Sequence, residues 1–198
     1  MIIRFDENLE WRKIEMPCSS GPVELSLLHR ASDGAISALV RFPVGWSRQI
    51  AGYYEVEEEF VVLDGRIDLD GLAFIPHDWA LVPLGEVRHS TSTSTGALAW
   101  ARFGGPAIFK RVTQENPHCD VATILHQSLL SVAKGGRELL ATHPDQSTSS
   151  KILGHSGSFT NACELLSLSN RWWSFTEPGS LVPDVNGITL LREYPSKP

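Results

Sequence analysis

Apolar and polar positions alternate in short runs through the first half of the chain, at residues 23–28, 35–42, 59–63, 80–82 and 97–103. Asp33-Gly34, Asp64-Gly65, Gly71, Pro83 and Gly104-Gly105-Pro106 separate them. Short runs bounded by glycine and proline read as strands, and many of them at close spacing predict an all-β sandwich or barrel. Asp64-Gly65, following a β-rich run, predicts a tight hairpin turn, because glycine takes the positive φ that such turns demand. Strand periodicity puts Tyr54, Val56 and Glu58 on one face and Tyr53, Glu55 and Glu57 on the other.

The second half carries a weaker echo of the first. Glu24-Leu25-Ser26-Leu27-Leu28-His29 resembles Glu138-Leu139-Leu140-Ala141-Thr142-His143, with Gly21 and Gly135 a few residues upstream. Glu59-Phe60-Val61-Val62-Leu63-Asp64-Gly65 is matched by Glu164-Leu165-Leu166-Ser167-Leu168-Ser169-Asn170, in which asparagine replaces glycine at a turn. Leu81-Val82-Pro83 recurs as Leu181-Val182-Pro183. Three echoes in one order predict two tandem halves, residues 1–112 and a degenerate copy over 113–198. A competing local reading is a helix over 121–134, capped by Asp120 and stopped by Gly135-Gly136.

Two stretches carry the candidate chemistry. In the first, Glu58, the apolar run 60–63 and Gly65 follow Gly52 and Tyr54; in the second, Pro83 and Gly85 lead to His89. Together they resemble the two signature motifs of a cupin barrel, a double-stranded β-helix or jelly roll. Gly52 and Tyr54 stand where that pattern has histidines, and one residue more than the usual spacing precedes His89. From residue 43 to 106 the chain is most similar to the ChrR-type cupins, in their stand-alone two-barrel form. That resemblance implies a tandem bicupin, and its relatives include metal-dependent dioxygenases, isomerases and lyases.

A cupin metal centre uses three histidines and a glutamate, a set that suits Fe(II), Mn(II), Ni(II) or Zn(II) and leaves positions open for substrate. Only Glu58 and His89 stand at matching positions here, and two ligands rarely hold a divalent ion tightly. Two readings stay open. Glu58 and His89 are the remnant of a metal shell, or they form a metal-free acid–base pair with Tyr54 as hydrogen-bond donor, able to polarise and protonate a small carbonyl compound. The second half offers less, since Cys163 aligns with Glu58 and the counterpart of His89 falls near residues 188–191, without a histidine. Arg171-Trp172-Trp173 is a candidate stacking element, with core filling as the plainer reading. His118-Cys119-Asp120, His143 and His155 are metal-capable but isolated.

Composition narrows the partners. With 198 residues, 42% of them hydrophobic, the chain has material for one domain or two small ones. A net charge of −6 without a lysine or arginine cluster argues against nucleic acid or an anionic membrane as partner. Three cysteines at no metal-binding spacing, no long apolar run and no signal-peptide pattern point to a cytoplasmic protein with reduced thiols. The expected partners are a small organic ligand and, by analogy with barrels that pair edge to edge, a second copy in a homodimer. The function expected is a small-molecule-processing cupin with an incomplete metal site, of oxygenase, isomerase or lyase type; the alternative is a non-catalytic, metabolite-binding cupin.

Overall fold

In the computed structural model the apolar runs fall on strands, and one short helix is the only helix among the described residues. The structure describes residues 2–7, 9–113, 124–134, 139–142, 149–153, 159–180 and 187–194. It divides into two compact units, residues 10–126 and a discontinuous unit of residues 1–9 with 127–198.

The chain opens with β1 (Ile2–Arg4). The 10–126 unit then runs through β2 (Arg12–Ile14), β3 (Val23–Arg30), β4 (Ile36–Phe42), β5 (Ser47–Arg48), β6 (Gly52–Tyr54) and β7 (Glu58–Gly65). It continues with β8 (Ile67–Leu69), β9 (Leu72–Phe74), β10 (Asp78–Val82), β11 (Thr91–Ser92), β12 (Ala97–Phe103) and β13 (Phe109–Arg111). At the junction lies β14 (Leu125–Ser128), followed by α1 (Leu129–Lys134), β15 (Leu139–Thr142), β16 (Ser149–Leu153), β17 (Ala162–Ser167), β18 (Trp172–Thr176) and β19 (Thr189–Tyr194).

A large antiparallel sheet in the order β14-β10-β7-β12-β4-β3-β2 forms one wall of the 10–126 unit, and a smaller sheet β5-β11-β8-β9 forms another. Val40, Phe60, Val62 and Ala99 from the first pack with Trp46, Ile67, Leu69 and Phe74 from the second and its approaches, so the core lies between the sheets. The helix reading of 121–134 is met only over Leu129–Lys134, with strand before it; residues 121–123 lie outside the described residues.

Asp64-Gly65 does not close a two-residue hairpin. Gly65 ends β7 with a φ of 72°, and a Cβ there would lie 2.1 Å from the Gly96 carbonyl oxygen, so glycine is needed for close strand approach at the corner. The two-residue hairpin comes next, at Asp70-Gly71 between β8 and β9, where both residues have positive φ (49° and 82°) as a type I′ turn requires.

The second unit holds one described sheet, ordered β1-β18-β17-β19-β16-β15. Its run β18-β17-β19-β16-β15 repeats the order β10-β7-β12-β4-β3, with the strands in the same chain sequence. Register agrees residue by residue. Glu59 lies opposite Arg102, which lies opposite Ser37; Glu164 lies opposite Arg192, which lies opposite Ser150. Trp79 pairs two positions along from Glu59 and donates from Nε1 to its Oε1 at 2.6 Å, while Trp173 pairs two positions along from Glu164 and donates to its Oε2 at 3.1 Å. All eight side chains are buried. Residues 1–9 belong with this unit rather than the first because β1 pairs with β18, so the boundary differs from one at residue 112. The echoes at residues 138 and 143 and at 181–183 lie outside the described residues, as do Cys119 and its neighbours and His155.

Candidate functional site

The interior of the 10–126 unit is hollow at one end. A cavity of about 260 Å³ runs between the sheets, walled mainly by apolar side chains such as Leu25, Val40, Phe42, Phe60, Ile67 and Leu69. Ala99 and Ala101 leave the room, for they present only methyl groups to it from β12. Its polar face is built by Arg48, Tyr54, Glu58, Arg88 and Thr91, and Glu15 stands at an exposed rim.

Each of these side chains is placed by a local rule. Alternation along β7 points Glu58 and Phe60 to the cavity and Glu59 and Val61 to the opposite face. Tyr54, at the end of β6, is buried with its ring edge-on to Phe103 and Phe109, at 5.0 and 5.4 Å between centroids. Gly52 and Arg88 exchange backbone hydrogen bonds of 2.8 and 3.0 Å, which fixes Arg88 beside the barrel wall with its side chain inward. Arg88 Nη2 then forms an ion pair with Glu58 Oε2. Arg48 Nη1 donates to Tyr54 Oη at 3.2 Å, and its guanidinium lies over the Phe109 ring at 4.2 Å. Both guanidiniums are near the Tyr54 ring, 5.0 Å for Arg88 and 5.6 Å for Arg48. The buried Arg88 Nε and Thr91 Oγ1 make no hydrogen bond.

Tyr54 and Glu58 therefore face one cavity, and His89 does not. His89 is exposed, and its backbone N–H is anchored to Asp70 at 2.9 Å. Neighbouring residues on an extended segment point opposite ways, so the extra residue before His89 turns Arg88 in and His89 out. Sequence reasoning passed over Arg88 and Arg48. The spacing anomaly was the available signal for the first; nothing in the linear pattern marked the second, which sits on a two-residue strand.

A divalent metal does not fit these donors. Among the described residues no three His, Cys, Asp or Glu side chains come together. Glu58 is engaged by a cation, and a second guanidinium shares the cavity, so a metal ion there would meet like charge. Of the two positions that match the usual histidines, Gly52 is closed as well: a Cβ there would lie 2.2 Å from Phe109 Cζ and 2.5 Å from the Lys110 carbonyl oxygen.

In the second unit Cys163 takes the register position of Glu58 and packs with Leu153, Leu165, Trp172 and Leu191. Burial, with Glu193 adding to it, pushes its thiol up to about 11. Trp172 and Trp173 are both buried, so neither offers a stacking surface to solvent. By register, residues 189–191 match 99–101 on β12 and not the segment around residue 89.

No protein-family model matches the chain, and no curated protein matches its sequence. Solved structures do. The chain is similar to a proposed dioxygenase from Nostoc punctiforme, with 12% identity, 98% of this chain and 81% of that one covered, and a TM-score of 0.70. HutD from Pseudomonas fluorescens matches at 9% identity, over 100% of this chain and 99% of its own, with a TM-score of 0.58. YlbA from E. coli matches at 13% identity, over 98% and 86%, with a TM-score of 0.51. The fold is the cupin fold. At these identities the likeness carries architecture alone, because one cupin scaffold serves many chemistries. Among the described residues, no helix is long and apolar enough to cross a membrane.

Proposed function

We propose that this cupin binds a small organic molecule in the cavity of the 10–126 unit and processes it by acid–base chemistry without a divalent metal. The observation that carries the reading is the partly open, apolar-walled cavity with Arg48, Tyr54, Glu58 and Arg88 gathered at its polar face. Largely preformed apolar pockets with a few convergent polar groups are the usual form of a small-molecule site. Glu58 supplies a carboxylate as proton acceptor, Tyr54 a phenol as donor, and the guanidiniums positive charge where an enolate or oxyanion would develop. Of oxygenase, isomerase and lyase chemistry, the last two suit these side chains, since they need a placed acid and base and no metal. His89 has no part in it.

The alternative is binding without turnover, favoured by the ion pair that engages Glu58 with Arg88. The 1–9/127–198 unit is a second cupin half in this reading, supported by the repeated strand order and the Glu–Arg–Ser–Trp register; kinship with stand-alone ChrR-type bicupins rests on the motif resemblance. A cytoplasmic location is supported by the free thiols of Cys18 and Cys163. Homodimerisation rests on analogy.

The test is a thermal-stability screen of the purified full chain against small metabolites, with turnover followed for each hit. A ligand that binds the native state raises the melting temperature. The expected result is a set of hits that lose their effect in Ala101→Leu, with turnover lost in Glu58→Gln. Turnover unchanged in Glu58→Gln overturns the acid–base role. Near-stoichiometric Fe, Mn, Ni or Zn retained after a chelator wash overturns the metal-free reading.

A further inference from the structure

We infer that the molecule the cavity takes is a monoanion, a small carboxylic acid with an apolar body, whose charge is matched by Arg48. The inference rests on the reading of the cavity as a small-molecule site, and it follows from a charge count. The charged side chains that line the cavity are Arg48, Arg88, Glu58 and, at the exposed rim, Glu15. Guanidinium groups stay protonated in proteins. Arg88 has its counter-charge in Glu58. Arg48 is buried, with 3% of its surface exposed, and its contacts are neutral: the Tyr54 hydroxyl and the face of Phe109.

Among the described residues, a phenol and aromatic faces are what hold this buried cation, which leaves most of its charge uncompensated, at a cost in an apolar surrounding. Glu15 is in water at the rim, where its field is screened. One carboxylate inside the cavity would complete the balance. It would also find donors waiting, since Arg88 Nε and Thr91 Oγ1 line or border the same space without a hydrogen bond. A planar guanidinium meets a carboxylate through two parallel charge-assisted N–H···O bonds, which a neutral amide with its single acceptor oxygen does not reproduce.

The rest of the cavity sets the body of the ligand. Its walls are overwhelmingly aliphatic and aromatic, and about 260 Å³ exceeds the ~150 Å³ engineered cavity that accepts benzene. An aryl or alkyl acid of roughly six to ten carbons fits that space. A dicarboxylate would bring a second negative charge with no cation left to meet it, so the site discriminates against diacids as well as amides.

Calorimetric titration of the full chain with phenylacetate, hexanoate and octanoate, each beside its amide, and with adipate, tests this. The acids are expected to bind at least tenfold more tightly than their amides and than adipate. Arg48→Gln is expected to erase that preference by bringing acid and amide affinities together, and Arg48→Lys to retain part of it. Equal binding of acid and amide by the native chain overturns the carboxylate inference and leaves the small-molecule site standing. So does a preference that survives in a folded Arg48→Gln variant. If none of these acids binds while a neutral compound from the stability screen does, the carboxylate inference also falls; if nothing binds in either experiment, both readings fall.

Discussion

On β12 the 10–126 unit carries Ala99 and Ala101 toward its interior, and on β7 it carries Glu58; at the matching register positions the second unit carries Thr189, Leu191 and Cys163. The two sheets share strand order and a buried Glu–Arg–Ser–Trp set on the face away from those positions. The shared scaffold and the candidate site thus sit on opposite faces of the same strands. The face with Glu59 and Glu164 is held alike in both units, whereas the other face holds an ion pair and a cavity in one and an apolar cluster around Cys163 in the other. Large side chains fill where alanines leave space, and a thiol replaces a carboxylate. A sequence can therefore hold the same pattern on one face of both sheets while the other face diverges.

The shared face is expected to break most severely. Glu59→Ala and Glu164→Ala each leave a buried indole N–H without its acceptor and a buried arginine opposite an empty position. Each is expected to cost about 3–5 kcal/mol in urea unfolding. A cost near zero in one unit and large in the other would break the equivalence of the two sheets. On the divergent face the residues can be exchanged. Leu191→Ala is expected to cost about 2–5 kcal/mol as a core truncation. Ala101→Leu, which inserts the second unit's residue into open space, is expected to cost under ~1.5 kcal/mol and to abolish ligand binding.

Rebuilding the missing histidine sharpens the contrast from another side. Gly52→His meets Phe109 and the Lys110 carbonyl, so it is expected to cost about 1–3 kcal/mol as overpacking and to confer no zinc binding in calorimetry. Tight zinc binding by that variant would show that the cavity accepts a cation after all. The Cys163 thiol gives a smaller effect with a defined sign. Folded, it holds its proton to about 11, against 9.0 ordinarily. The folded state binds the proton more tightly, so the stabilisation is fully present below pH 9.0 and is lost as pH rises toward about 11. That limb is expected to amount to about 1–3 kcal/mol and to be absent in Cys163→Ala. Smallest of all, His89→Ala is expected to change stability by under ~0.5 kcal/mol and to leave ligand affinity unchanged; loss of binding would restore His89 to the site.

Much of the fold was legible because its rules are local. Runs bounded by Gly34, Pro83 and the Gly104-Gly105-Pro106 cluster became β4, β10 and β12, and the likeness of residues 59–65 to 164–170 survives as the matched registers of β7 and β17. The glycine at 65 was readable as a positive-φ position but not as a corner, because the atom that demands it, the Gly96 carbonyl oxygen, is far away in sequence and adjacent only in the fold. Tyr54 and Glu58 were legible as partners from their places in one motif, although the alternation between them is broken: residues 55–57 bend between β6 and β7, and Val56 does not line the cavity. His89 misled because a single extra residue reverses which side chain faces inward, and motif likeness weighs the histidine more heavily than the arginine before it. Arg48 was silent: its role comes from the distant Phe109 and from Tyr54, which no linear spacing brings together.

The most direct test of the proposal that this cupin-fold protein recognises its ligand with guanidinium groups in one cavity and not with a metal is a crystal structure of the full chain grown with phenylacetate and zinc together. The acid is expected inside the 10–126 unit, with its carboxylate on Arg48 and the Arg88–Glu58 pair intact. A zinc ion on Glu58 with His89 turned inward, or the acid bound elsewhere with the cavity filled by water, would contradict it.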